Sequence, residues 1–209
     1  MKKVITAVLI AAVLILPLSA AALTSQEEAP VQSAAESFLP GSVPAELSPA
    51  DSMGPALHGV LLAMLNHDVS AFGPADAGLA WESLYNMLSL YGQLDSRSET
   101  LEDDLLLPSE TVQDYAAALD LLLAKMSPLP AALTDRITYN RTQDAYRVVC
   151  GSDGLAQLQV QQTRTSGDVL QLTGALIYEV DGQELARFQA ELQPRDNMFG
   201  YAVTALVLN

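Results

Sequence analysis

Apolar positions along the chain change period near residue 136, from helical before it to alternating after it. Leu57, Leu61, Met64 and Leu65 recur at helical spacing after Pro55 and predict a first helix. A second is expected to begin near Pro74, a residue suited to a first helical turn. Its stripe is Trp81, Leu84, Tyr85, Leu88 and Tyr91, with a stop at Gly92. The third has the clearest pattern. Ser109 can cap it, and Glu110 and Asp114 suit the positive end of the helix dipole. Val112, Tyr115, Ala116, Leu119, Leu122, Leu123 and Met126 make its apolar face, Lys125 suits its C-terminal end, and Pro128 and Pro130 stop it. Between the second and third helices, Leu105-Leu106-Leu107 ends a polar connector as a short strand.

From Arg136 onward the period is two, and six strands are predicted: 137–140, 145–150, 156–165, 169–180, 185–193 and 200–208. Turn formers separate them, and short turns make neighbours antiparallel. One sheet face carries Leu158, Val160, Leu170, Leu172, Leu176, Tyr178, Phe188 and Leu192. The other carries Gln157, Gln159, Gln161, Gln171, Thr173, Arg187 and Gln189. These faces also predict a register. A two-residue turn at Asp181-Gly182 would set Leu176 against Arg187, mixing apolar with polar. A three-residue loop of Val180, Asp181 and Gly182 sets Leu176 against Ala186, Gly174 against Phe188 and Leu172 against Ala190, with Gly182 left-handed.

The predicted class is therefore α+β: about three helices packed on one face of a 5–6-stranded antiparallel meander. One domain is expected over residues 53–209, helical over 53–130 and β over 136–209. In element order this domain is similar to the cone-shaped domains of the nuclear-transport-factor-2-like group. Order alone carries no site residues and no function.

Residues 1–22 read as a secretory signal. Met1-Lys2-Lys3 is a basic start, Val4 to Leu16 is apolar apart from Thr6, and Ser19-Ala20-Ala21-Ala22 follows Pro17 as a peptidase site. Retention of residues 4–23 as a membrane anchor is the rival reading, since their length suffices to span a bilayer. Cleavage is favoured because Pro17 and the small residues sit where an anchor calls for bulky aliphatics. With cleavage, the protein is secreted or extracytoplasmic, with no membrane span left. Residues 23–52 follow as a linker holding Pro30, Pro40, Pro44 and Pro49 among Ser, Ala and Glu, expected to be disordered.

Charge narrows the partners. The whole chain carries −15, and loss of Lys2 and Lys3 leaves 8 basic against 25 acidic residues, a net of −17. Such a surface repels phosphate backbones, so nucleic acid is not expected as a partner. The acidity is concentrated between residues 23 and 135, which hold 17 acids against Arg97 and Lys125, so a basic partner should prefer that half. Cys150 is the only cysteine; no internal disulfide can form, and the residue is expected as a small apolar side chain on a strand, with Arg147 three positions away.

Candidate chemistry is sparse. His58 and His67 are the only histidines, and nine-residue spacing does not give a helical metal pair. Glu99, Glu102, Asp103 and Asp104 cluster without the alternation of a calcium loop and read as a solvated run. Trp81, Tyr85 and Tyr91 can line a pocket, although such a stripe more often packs a core. Asn140-Arg141-Thr142 has the form of a glycosylation acceptor and reads as a hairpin turn. No nucleophile elbow, zinc-protease motif or phosphate loop is present, and neither metal nor cofactor is expected. The ligand-binding candidates are His58, His67, Trp81, Tyr85 and Tyr115. The function expected is a non-catalytic extracytoplasmic module binding an unknown protein or small molecule. The alternatives are a small hydrolase- or isomerase-type enzyme, with a cone-shaped pocket between sheet and helices and His58, His67, Asp120 or a tyrosine at work, or a surface structural protein.

Overall fold

A computed structural model describes residues 48–73, 75–102 and 104–209. The expected signal, and the linker up to residue 47, lie outside the described residues. Helix begins before the expected linker end: Pro49–Ser52 forms a helical turn, α1, whose cap Ser48 accepts the Asp51 N–H at 3.2 Å. Met53 behind it is fully buried.

The fold is α+β. Helix α2 spans Gly54–Asn66 and α3 spans Ala77–Tyr91. α2 is buried on most of its circumference, including Ala56, Leu57, Val60, Leu61 and Met64; Leu65, expected in its stripe, is 37% exposed instead. α3 starts not at Pro74 but at Ala77, where the Asp76 carboxylate accepts the Leu79 N–H at 3.0 Å. Nor does Gly92 end it by a left-handed turn. Its φ is −58° and the chain runs on as a 3-10 turn over Gly92–Leu94. A Cβ there would sit 3.2 Å from the Leu105 side chain, so that position is limited by space.

Helix α4 covers Ser109–Ala117, half of the expected third helix, with Pro108 at the cap position. Asp120 takes a left-handed φ of 57° and the Leu121 N–H returns to the Ala116 carbonyl at 3.0 Å, a helix-ending turn. The next free carbonyl, Ala118, is taken from across the fold by the Val203 N–H at 2.8 Å. Leu122 is consequently exposed rather than part of an apolar face.

The strands fall into two sheets, which corrects the single meander. β1 (Ala71–Phe72), β6 (Ala156–Ser166), β7 (Val169–Tyr178), β8 (Glu184–Pro194) and β9 (Tyr201–Leu208) order as β1-β9-β8-β7-β6. β2 (Glu99–Leu101), β3 (Asp104–Pro108), β4 (Ile137–Asn140) and β5 (Ala145–Val149) order as β2-β3-β5-β4. Among the described residues the strands of both sheets pair antiparallel. The expected 105–107 strand, β3, draws the β4–β5 hairpin away from the meander. Ser152-Asp153-Gly154, expected as a turn between paired neighbours, instead lies in the segment that carries the chain from β5 in one sheet to β6 in the other.

The expected register holds: Leu176 faces Ala186, Gly174 faces Phe188 and Leu172 faces Ala190. The loop differs from the expected one. The Tyr178 N–H bonds the Gln183 carbonyl at 2.7 Å, so four residues, Glu179 to Gly182, turn the chain, with Gly182 at φ 74°. The odd residue is Leu185, bulged between the pairs Ile177–Glu184 and Leu176–Ala186. The apolar face of this sheet (Leu170, Leu172, Leu176, Phe188, Leu192, Val203 and Leu206) joins α2, α3 and α4 in one buried core.

Candidate functional site

The buried side chains of the sheet's apolar face and of α2, α3 and α4 pack together, and hollows open at the rims of that core. One of them lies where α1, the start of α2, the end of α3 and β6 converge. It is a groove of about 570 Å³, lined among others by Asp51, Pro55, His58, Tyr91, Asp153, Leu158 and Glu179. A second hollow of about 370 Å³, lined by Ser89, Cys150, Ser152 and others, shares Tyr91 and Asp153 with it.

His58 is the fulcrum of this site. It is held on α2 with 3% of its surface exposed. Its Nδ1 lies 2.6 Å from the Tyr91 Oη, and Nε2 is buried without a partner. Burial holds the imidazole below its ordinary proton affinity, partly opposed by the Asp153 carboxylate. Burial likewise raises the Tyr91 phenol, and the same carboxylate adds to the shift. Both groups therefore rest neutral near pH 7. Tyr115 supports the arrangement from α4: its hydroxyl donates to the Tyr91 carbonyl at 3.3 Å, and burial pushes its phenol up to about 12.

The carboxylates around the groove are of a different kind. Asp153 is half-buried, its Oδ1 accepting the Leu155 N–H at 2.9 Å; Asp51 and Glu179 are exposed. None of the three takes part in an ion pair among the described residues. Elsewhere acids are spent on arginines: Asp95 and Asp114 on Arg97, Asp104 on Arg147, Glu184 on Arg187, Asp120 on Arg195.

The other sequence candidates do not gather here. His67 is exposed at the C-terminal cap of α2. Trp81 is buried on α3, its indole N–H donating to the Ser127 carbonyl at 2.8 Å. With Asp120 and Lys125 it borders a separate hollow of about 350 Å³, in which both the indole and the Asp120 carboxylate already have partners. Tyr85 is buried beneath the Arg136 guanidinium, 5.5 Å from its ring centre. Cys150 is exposed just past β5, not the buried strand residue expected. In the acidic cluster Asp104 lies buried in β3 against Arg147 rather than solvated, while Glu102 turns the chain at φ 55°. Asn140 makes the expected turn, its Oδ1 accepting the Thr142 N–H at 3.0 Å.

Asp51, Asp153 and Glu179 carried no signal as site residues in the sequence. Asp153 sits in a Ser-Asp-Gly turn, and the three are brought together only by the packing of β6 beside α2. Among the described residues, no group of three or more His, Cys, Asp and Glu is placed to hold a metal ion. Nor is any helix long and apolar enough to cross a membrane. No protein-family model matches the chain, and no curated protein sequence does either.

Proposed function

We infer that the protein is an exported, non-catalytic binding module whose ligand enters the groove beside His58, Tyr91 and Asp153. One observation carries this reading. The groove is lined by three carboxylates that, among the described residues, take part in no ion pair, whereas the His58 nitrogen that lacks a partner is sealed inside the fold. A general base must reach its substrate to within about 2.6–3.2 Å. His58 Nε2 has no open path for that contact, so the groove is better equipped to hold a charged ligand than to move a proton. Export rests on the basic start and apolar run of residues 1–22.

The test pairs two screens of the exported protein: a thermal-shift screen of small molecules and peptides, and a turnover screen across hydrolase and isomerase substrates. The expected result is a ligand that raises the melting temperature, as any binder of the native state does, with no turnover. Turnover that disappears in His58→Gln or His67→Ala, with the fold retained, overturns the reading in favour of an enzyme.

A further inference from the structure

Strand β6 forms one edge of the five-stranded sheet and runs for 11 residues, against two in β1 at the opposite edge. Long edge strands are usually shortened, charged or covered, because their outward N–H and C=O groups template pairing with another chain. β6 carries one charged side chain, Arg164, and no proline.

The ladder fixes which backbone groups face out. Glu179 donates its N–H to the Leu155 carbonyl at 2.8 Å. In an antiparallel pair such bonded positions alternate. The backbone of Leu155, Gln157 and Gln159 therefore turns to β7, and that of Leu158 and Val160, opposite Leu176 and Gly174, turns outward. Among the described residues, no backbone bond from outside the sheet reaches Leu158 or Val160. Both residues line the groove that α1 and α2 border on its other side. The groove is thus a slot with a hydrogen-bonding wall.

Charge decides what fits the slot. Asp51, Asp153 and Glu179 line it, and no lysine or arginine does. The chain's own residues 24–47 hold Glu27, Glu28, Glu36 and Glu46 and no lysine or arginine, so charge opposes their entry. A second copy of the exported protein brings the same acidic slot and, without Lys2 and Lys3, 8 basic against 25 acidic residues, a net charge of −17.

We propose that the β6 edge binds an extended peptide carrying lysine or arginine, added as a further strand beside Leu158 and Val160 with its cations against Asp51, Asp153 and Glu179. Backbone bonds supply the affinity, and alternate side chains supply the selection. The half-buried Leu158 and Val160 meet the apolar side chains of the peptide, and the carboxylates meet the basic ones. The inference rests on the binding-module reading.

The probe is a fluorescently labelled heptapeptide of alternating lysine and valine, followed by anisotropy on the exported protein. Its binding should weaken with added salt. An alternating glutamate–valine peptide should bind at least about tenfold more weakly. Two further lysine–valine peptides are N-methylated on odd or on even amides, which keeps the charge and removes every second donor. One of these two should lose about tenfold and the other less. Leu158→Pro removes an outward donor without touching the β7 ladder and should cause a similar loss. Should Leu158→Pro fail to fold by circular dichroism, the triple variant Asp51→Asn, Asp153→Asn, Glu179→Gln takes its place and should abolish the salt dependence.

Equal binding of both N-methylated peptides and the parent peptide sinks the proposal, as does no binding of the parent peptide. A dimer in light scattering that Leu158→Pro disperses shows a second copy to be the occupant and sinks it too. Peptide failure beside a stabilising ligand in the thermal-shift screen removes this inference alone. Turnover abolished by His58→Gln removes the binding-module reading alone.

Discussion

The Nδ1 of His58 lies 2.6 Å from the Tyr91 Oη, tying the body of α2 to the last residue of α3. The two rings meet edge-on, 5.9 Å between centres and 65° between planes. Among the described residues this is the imidazole's only hydrogen bond, since Nε2 has no partner. Tyr91→Phe should therefore leave a second buried ring atom unsatisfied and cost about 1–3 kcal/mol, read from urea unfolding. Combining it with His58→Leu should recover part of that loss, because two apolar side chains leave no orphaned atom. A double variant no more stable than Tyr91→Phe would show that packing, not the hydrogen bond, holds this corner.

The same histidine makes stability depend on pH. Burial holds its folded proton affinity below the ordinary value of 6.5. The unfolded chain then binds more protons than the folded one in the interval below 6.5, so stability rises with pH there. His58's contribution is full above that value and is lost as pH falls through the depressed folded value. Denaturation curves from pH 7.5 downward should show this loss, and His58→Gln should flatten it. An unchanged slope in the variant would assign the pH dependence to other groups.

Two glycines should answer to alanine in opposite ways. Gly174 faces Phe188 across β7 and β8, and a Cβ there would run into the Gln159 carbonyl oxygen and lie 2.8 Å from the Phe188 ring. Gly174→Ala should cost about 1–3 kcal/mol by overpacking. Gly78, in the first turn of α3, has only the Asp76 carboxylate nearby, at an ordinary 3.5 Å. Gly78→Ala should stabilise by about 0.4–1 kcal/mol through the unfolded state. Thermal unfolding of the two variants beside the parent checks both signs.

Processing should remove the basic start. N-terminal sequencing of the exported protein should begin near Ala21 or Leu23. Recovery of Met1-Lys2-Lys3 in a membrane fraction would show residues 4–23 to be an anchor.

What the sequence determined by itself was local and periodic. Alternation from Arg136 onward located six strands, and the need to keep Leu172 and Leu176 on one face set the β7–β8 register. Such signals are legible because a strand's period is two and a slip by one residue exposes its whole apolar face. Only the tertiary structure decided where those strands pair. The β4–β5 hairpin alternates like its neighbours, yet it joins β3 because Leu105, Leu107, Ile137 and Val148 are buried together there. The length of α4 was likewise not local: its apolar spacing runs on to Met126, but the helix stops where Asp120 turns left-handed and β9 supplies a donor for the Ala118 carbonyl. The groove is the extreme case. His58 and Tyr91 are 33 residues apart in sequence, and Asp153 and Glu179 stood in what read as turns and strand ends. A hydrogen bond or a shared field between distant residues leaves no period in a sequence, because it depends on distances that only packing sets.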